Sequence, residues 1–342
     1  MKNSTTYDVF VGIDISKLTL DAWLDHPDQS QTEFIQVENS AEGFKRLSDW
    51  LLECGADPEQ TILCGEHTGR YGEHLAGWAG QSQWDYAIVK TTALKKVSPE
   101  HHRKSDRYDA SLLAEYARRY TDKLSLVKMP DRAVKQLDRL RKERRFMVDQ
   151  RARLAQKISE ADYHDADMEC ITEYYQQQID LISRQIVSIE KQIKTLIKSN
   201  PSLDHRYRQV LTAPGIGKVI GSFWVSLFAG EEQLNPRQIS SRFGFAPHTY
   251  QSGTSVKGKQ RSSGFGNGEM RRIMHQAARS VATHNAHYKA YYQKKLAEGK
   301  DEKLIMNNII NKIIRTVCSM WNHDIDYDPG YIQKMKKIHQ AA

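Results

Sequence analysis

The order of strand-like and helix-like runs in about the first 120 residues narrows the folds open to this chain more than any other feature. Tyr7–Ile13 is mostly apolar and rich in β-formers, reads as a buried strand, and ends in Asp14. Leu18–Leu24 alternates like a second strand, and a polar turn over His26–Gln31 leads to a third at Glu33–Val37. Such short connections predict an antiparallel meander. Asn39 then reads as a helix cap with Glu42 as its capping-box partner, and Phe44, Leu47, Trp50 and Leu51 follow helical spacing. Thr61–Cys64 is a fourth strand ending at Gly65-Glu66. A helix over about Tyr71–Gln81, with Leu75 and Trp78 inward, precedes a fifth strand at Tyr86–Val89. The basic stretch Lys95–Lys104 leads into a helix beginning near Asp106.

Three strands, helix, strand, helix, strand, helix is the ribonuclease H-like (RuvC-like) order, a meander extended by parallel strands through helical crossovers. In that fold, carboxylates at the ends of the first and fourth strands and on the last helix converge on metal ions. Asp14, Glu66, Asp106 and Asp109 occupy those places. Asp106 and Asp109 are three apart in DRYDASLLAEYA and share one helix face, while Leu112, Leu113 and Tyr116 can anchor that helix to the sheet. Four acids brought together repel unless cations neutralise them. Two Mg²⁺ ions roughly 4 Å apart are the usual solution and suit phosphoryl transfer. Singly, each acid has a plainer reading: Asp14 a turn residue, Asp106 a helix cap, Glu66 part of a loop. The joint placement is what points to a metal site. His67, beside Glu66, is either a general base or an ordinary loop histidine.

A length of 342 residues predicts two or three domains, and 39% hydrophobic content supplies their cores. The formal charge of +8 suggests a polyanionic partner. Cys54, Cys64, Cys170 and Cys318 are scattered, so neither a zinc site nor a disulfide framework is indicated. With no apolar leader and no run of membrane-spanning length, the expectation is a cytoplasmic protein with no membrane partner.

The boundaries expected are 1–125 for the ribonuclease H-like domain, 126–200 for a helical hairpin and 201–342 for a mainly helical C-terminal domain. The middle segment opens with a long basic helix that includes Arg144 and Arg145. A second helix carries Ile179, Ile182, Ile186, Ile189, Ile193 and Ile197, nearly a heptad seam, which fits an antiparallel hairpin or an intermolecular coiled coil. Its basic residues are either a solvated face or contacts to a nucleic-acid backbone. Beyond Pro201, Pro214-Gly215-Ile216-Gly217 between two apolar runs resembles the turn of a helix-hairpin-helix, with Gly215 and Gly217 letting backbone amides approach a phosphate; a plain tight turn is the alternative. Phe243–Arg272 is dense in Gly and Ser and carries Lys257, Lys259, Arg261, Arg271 and Arg272 against Glu269 alone. Such a flexible cationic loop suits a nucleic-acid backbone and can present a hydroxyl. Ser252, Thr254, Ser255, Ser262 and Ser263 are candidates, and spacing does not choose among them. Helices of about Gly268–Ala286, Ala290–Leu296 and Glu302–Met320 complete the domain.

VGIDISK, CGEHTGRYG, KSDRYDASLLAEYARR, APGIGKVIGS and FGFAPHTYQSGTSVKGKQRSSGFGNGEMRR together resemble the transposases of bridge-RNA-guided insertion sequences and the related Piv-type DNA invertases. The resemblance spans nearly the whole chain, in order. It implies a RuvC-like N-terminal domain, a coiled-coil connection and a C-terminal transposase domain. The family's acids match Asp14, Glu66, Asp106 and Asp109, and its Tyr-x-Ser-Gly-x-Ser motif matches Tyr250–Ser255, which places the nucleophile at Ser252. It further implies a bacterial enzyme acting at the nucleoid, a structured non-coding guide RNA pairing with target and donor DNA, and dimers assembling to a tetramer in which one subunit's acids meet another's serine. The chemistry agrees, because a hydroxyl attacking a phosphodiester needs activation that metal-holding acids supply, and a phosphoserine would conserve the bond for rejoining. An RNA-independent invertase and a RuvC-like junction nuclease using water are the alternatives, and a non-catalytic nucleic-acid scaffold is a third.

Overall fold

The computed structural model describes the chain outside residues 1–6, 27–30, 67–68, 95–104, 128–130, 162–168, 249–250, 253–255, 258–260, 263–265 and 331–342. It divides into two compact units, Met1–Met129 and Pro130–Ala342. The first contains β1 (Val9–Ile15), β2 (Thr19–His26), β3 (Gln31–Glu38), α1 (Ala41–Glu53), β4 (Thr61–Glu66), α2 (Gly72–Gln81), β5 (Asp85–Val89), the short α3 (Thr91–Leu94) and α4 (Asp106–Arg119). The sheet order is β3-β2-β1-β4-β5. The β1–β2 and β2–β3 pairs are antiparallel, and β1–β4 and β4–β5 are parallel. This is the ribonuclease H-like arrangement expected from the order of the runs.

One cap differs from expectation. Ser40, not Asn39, caps α1, its Oγ accepting from the Gly43 N–H at 3.2 Å. Asn39 lies one residue too early for that bond. Its Nδ2 instead donates to the carbonyls of Ser16 and Tyr71, at 3.0 and 3.1 Å.

Alternation gives the sheet two buried faces. Val11, Ile13, Leu20, Leu24 and Leu63 pack with Leu47 and Leu51 of α1 and Leu75 of α2. On the opposite face Phe10, Ile62, Cys64 and Ala87 meet Leu113, Tyr116 and Ala117 of α4. Gly12 sets how closely α4 approaches. A Cβ there would lie 2.0 Å from the Ala110 carbonyl oxygen and 2.4 Å from the Ala114 nitrogen. The helix backbone therefore rests directly on β1, two residues before Asp14.

The second unit opens with α5 (Arg132–Ala161) and α6 (Glu169–Ser199). Arg144 meets Glu190 while Arg151 meets Ser183, so the two helices run antiparallel within one chain. Their seam is buried at its base by Ile186, Ile189, Ile193 and Ile197, whereas Ile179 and Ile182 are only half-buried. Next come α7 (Pro201–Leu211), α8 (Lys218–Phe228) and α9 (Pro236–Arg242). The serine-bearing segment, expected as an open loop, has a nested ladder instead. Strands β6 (Pro247–His248) and β9 (Arg261–Ser262) pair outside β7 (Gln251–Ser252) and β8 (Val256–Lys257). Helices α10 (Gly268–His284), α11 (Ala286–Ala297) and α12 (Glu302–His323) follow. Val134, Leu137, Ile189, Ile193 and Ile197 of the hairpin share one core with Phe223, Trp224, Met274 and the isoleucines of α12. Hairpin base and C-terminal helices are thus a single body.

Candidate active site

The candidate carboxylates sit on the α4 face of the sheet. Asp14 is the last-but-one residue of β1 and pairs across the ladder with Asp21 of β2, which pairs in turn with Gln36 of β3. On the other side, Glu66 follows Gly65, the parallel partner of Ile13. Side chains in register share a face, so Asp21, Asp14 and Glu66 form one row across three strands. Asp106 and Asp109 approach from the first turn of α4, whose N-cap is Ser105, its hydroxyl accepting from the Tyr108 N–H at 3.2 Å. Acids in the first turn of a helix are favoured by its dipole.

Electrostatics record the convergence. Burial first, then the charge of Asp109, and beyond it Asp106 and Asp21, push the half-buried Asp14 carboxyl up to about 6, against a bond from the Ile15 N–H that favours its ionised form. Asp21 is 4% exposed. Burial raises its pKa, a Gln36 Nε2 donor at 2.8 Å lowers it, and Asp106 raises it again. The Glu66 carboxylate accepts from the Thr91 hydroxyl at the start of α3. Among the described residues no three such groups stand as a ready-made metal cage. The donors are all carboxylate oxygens, with Asp14, Glu66 and Asp109 half-buried, and the charges of Asp106 and Asp109 press on Asp14, which is the chemistry that a hard divalent cation such as Mg²⁺ relieves.

The structure brings Asp106 and Asp109 within electrostatic reach of Asp14, and Glu66 follows Gly65, the parallel partner of Ile13. Ser252 lies in the other unit, its backbone in β7 paired with Val256. His67, Tyr250, Thr254, Ser255, Lys259 and Ser263 lie outside the described residues. Lys257 and Arg261 stand on β8 and β9. Gly215 adopts φ +81°, and a Cβ there would strike Val281 at 2.7 Å, so this turn needs glycine. Gly217 is the N-cap of α8, with open space around it. Arg272 is exposed. Arg271 is half-buried, its Nε without a hydrogen-bond partner among the described residues. Arg144 and Arg145 are each held by a carboxylate, Glu190 and Asp149.

Nothing in the sequence marks Asp21, Gln36, Thr91 and Gly12 as neighbours of the candidate carboxylates. Asp21 sits at a polar position of an alternating strand, and only the register that sets it opposite Asp14 distinguishes it from a solvent-facing acid.

Residues 11–161 match the DEDD transposase domain of IS110 elements, and residues 207–293 match the transposase IS116/IS110/IS902 family. The pilin gene-inverting protein of Moraxella bovis is 29% identical over 339 residues, covering 97% of this chain and 99% of that protein. That of Moraxella lacunata matches at the same identity and coverage. T. thermophilus RuvC in complex with a Holliday junction substrate, aligned over 35% of this chain and 100% of RuvC, is 13% identical with a TM-score of 0.26.

Proposed function

This chain belongs to the IS110-type transposases and recombinases, DNA-recombining enzymes, and we propose that it cuts and rejoins DNA through a serine-linked intermediate served by a carboxylate-held metal centre. The observation that carries this reading is the row Asp21, Asp14 and Glu66 beneath Asp106 and Asp109 on one sheet face.

Asp14, Glu66, Asp106 and Asp109 would hold Mg²⁺. Held by these carboxylates, such an ion would supply Lewis-acid chemistry, polarising a phosphoryl oxygen and lowering the pKa of the attacking hydroxyl. Ser252 Oγ attacks the scissile phosphorus. Its O–P bond forms as the bond to the leaving sugar oxygen breaks, and the hydroxyl proton leaves to base as the sugar oxygen gains one. The bond count is unchanged, so the phosphoserine can be resolved by a second sugar hydroxyl without an external energy source. The ladder from Pro247 to Ser262, with Lys257, Lys259 and Arg261, would hold the DNA backbone around Ser252, and Arg271, Arg272, the Gly215–Gly217 turn, Arg144 and Arg145 would extend that binding surface. The acids of one subunit would meet the serine of another within a dimer assembling to a tetramer, and the protein would act at the bacterial nucleoid. Among the described residues no helix is long and apolar enough to cross a membrane.

Guidance by a structured RNA pairing with target and donor DNA is proposed on the resemblance of the motifs. RNA-independent inversion is the second reading, favoured by two relatives of full length that are named for gene inversion. Sequencing the RNA that copurifies with the protein decides between them: one discrete structured species supports guidance. The serine step is tested by trapping. Wild type incubated with labelled DNA gives a covalent adduct on a denaturing gel, and Ser252→Ala gives none. Cleavage by Ser252→Ala at the wild-type rate would instead establish water as the nucleophile.

A further inference from the structure

The first turn of α4 carries a cation that the carboxylate site does not account for. Arg107 is exposed, between Asp106 and Tyr108. Its guanidinium carbon lies 5.2 Å from the ring centroid of Trp23 and 5.0 Å from that of Phe34. Trp23 and Phe34 are cross-strand partners on β2 and β3. Trp23 is two residues from Asp21 and therefore on the same face as the row of acids. The other arginines of α4 are matched: Arg118 with Asp25, and Arg119 with Glu115. Among the described residues no carboxylate forms an ion pair with Arg107, although Asp106 adjoins it and Asp109 is two residues on. The aromatic pair holds the guanidinium at the β3 side, which is the open edge of the sheet.

That arrangement suits one chemistry. An arginine stacked on rings keeps its edge N–H donors free in a fixed fork that matches phosphate. A row of carboxylates repels a DNA backbone, so a strand crossing it needs a fixed positive group at its border. We propose that Arg107 is a substrate-binding residue of the cleavage reaction, its guanidinium gripping a backbone phosphate next to the scissile one and laying the strand across Asp21, Asp14 and Glu66. The proposal rests on the reading that these acids form the cleavage centre.

The test uses the full-length protein with the nucleic acid that copurifies with it, and DNA duplexes in which single phosphates flanking the cut are replaced by neutral methylphosphonates. Arg107→Ala raises KM for DNA by about tenfold or more while kcat stays within about threefold, and Arg107→Lys recovers part of the loss, as expected for a charged phosphate contact. One methylphosphonate position weakens wild type about tenfold and leaves Arg107→Ala unaffected. Arg107→Gln, which keeps a planar group over the rings, behaves like Arg107→Ala at an unchanged melting temperature. Unaltered KM in all three variants, or methylphosphonates that weaken wild type and Arg107→Ala equally at every position, overturns the proposal. Asp14→Asn is the control. If it cleaves normally, the reading of the acids fails and Arg107 falls with it; if it is inactive while Arg107→Ala is unaffected, only the phosphate grip fails.

Discussion

Replacing Asp14 by asparagine should stabilise the metal-free protein while abolishing its activity. Burial and the neighbouring acids push the Asp14 carboxyl from 3.8 to about 6. At about 1.4 kcal/mol per pH unit this is an upper bound of about 3 kcal/mol of ionisation penalty. Asp14 is only half-buried, so solvent screening cuts the penalty to about 1.5 kcal/mol. For a unit spanning Met1–Met129, that corresponds to about 5 °C in melting temperature. The sign follows from proton linkage. Between about pH 4 and 6 the folded unit holds a proton that the unfolded chain has released, so stability falls as pH rises through that window and the penalty is complete above it. Asparagine retains an acceptor for the Ile15 N–H, which donates to Asp14 Oδ1 at 3.0 Å. Thermal denaturation in EDTA at pH 7.5 should therefore show Asp14→Asn melting about 5 °C above wild type, with the gap closing as pH falls toward 4. Added Mg²⁺ should raise the wild-type transition and leave the variant nearly unmoved. A variant that melts below wild type by a similar margin at both pH values would refute the reasoning and make Asp14 a structural residue.

Three further perturbations test how the site is positioned. Gly12→Ala places a Cβ 2.0 Å from the Ala110 carbonyl oxygen, so α4 must move away; a loss of about 1–3 kcal/mol in urea denaturation is expected, with cleavage down by about a hundredfold although every carboxylate remains. Thr91→Val removes the hydroxyl bonded to Glu66 and should raise the Mg²⁺ concentration for half-maximal cleavage about tenfold, measured by metal titration at saturating DNA. Arg141 is 5% exposed, bonded to Glu269 at 2.6 Å and Asp138 at 2.9 Å, and lies 3.9 Å from the Phe223 ring centroid. Arg141→Ala leaves Glu269 without its partner and should cost the second unit about 3–5 kcal/mol in denaturant unfolding.

Glu269 illustrates how the second unit differs from its sequence impression. It is the one acid in the basic segment Phe243–Arg272, and nothing in the sequence names its partner. In the fold it bonds a nearly buried arginine of α5 and so ties the start of α10, just beyond the serine-bearing ladder, to the helical hairpin. Arg144, by contrast, reads as a free cation on a basic helix and is matched by Glu190 across the hairpin. Charge counts along a helix do not reveal partners 46 and 128 residues away.

The sequence by itself determined the element order, and through it the fold of the first unit, because strand and helix periodicities are local and short turns leave few ways to join them. It also singled out Asp14, Glu66, Asp106 and Asp109 as candidates, since the ends of strands and the first turn of a helix are positions that the chain order already defines. The tertiary structure alone decided what surrounds them. Asp21 stands beside the candidate acids through strand register, Gly12 through the contact distance of α4, Thr91 through the bond it gives Glu66, and Arg107 through an aromatic pair assembled from two strands. Register, approach distance and cross-strand pairing belong to pairs of segments, so no single stretch of sequence carries them.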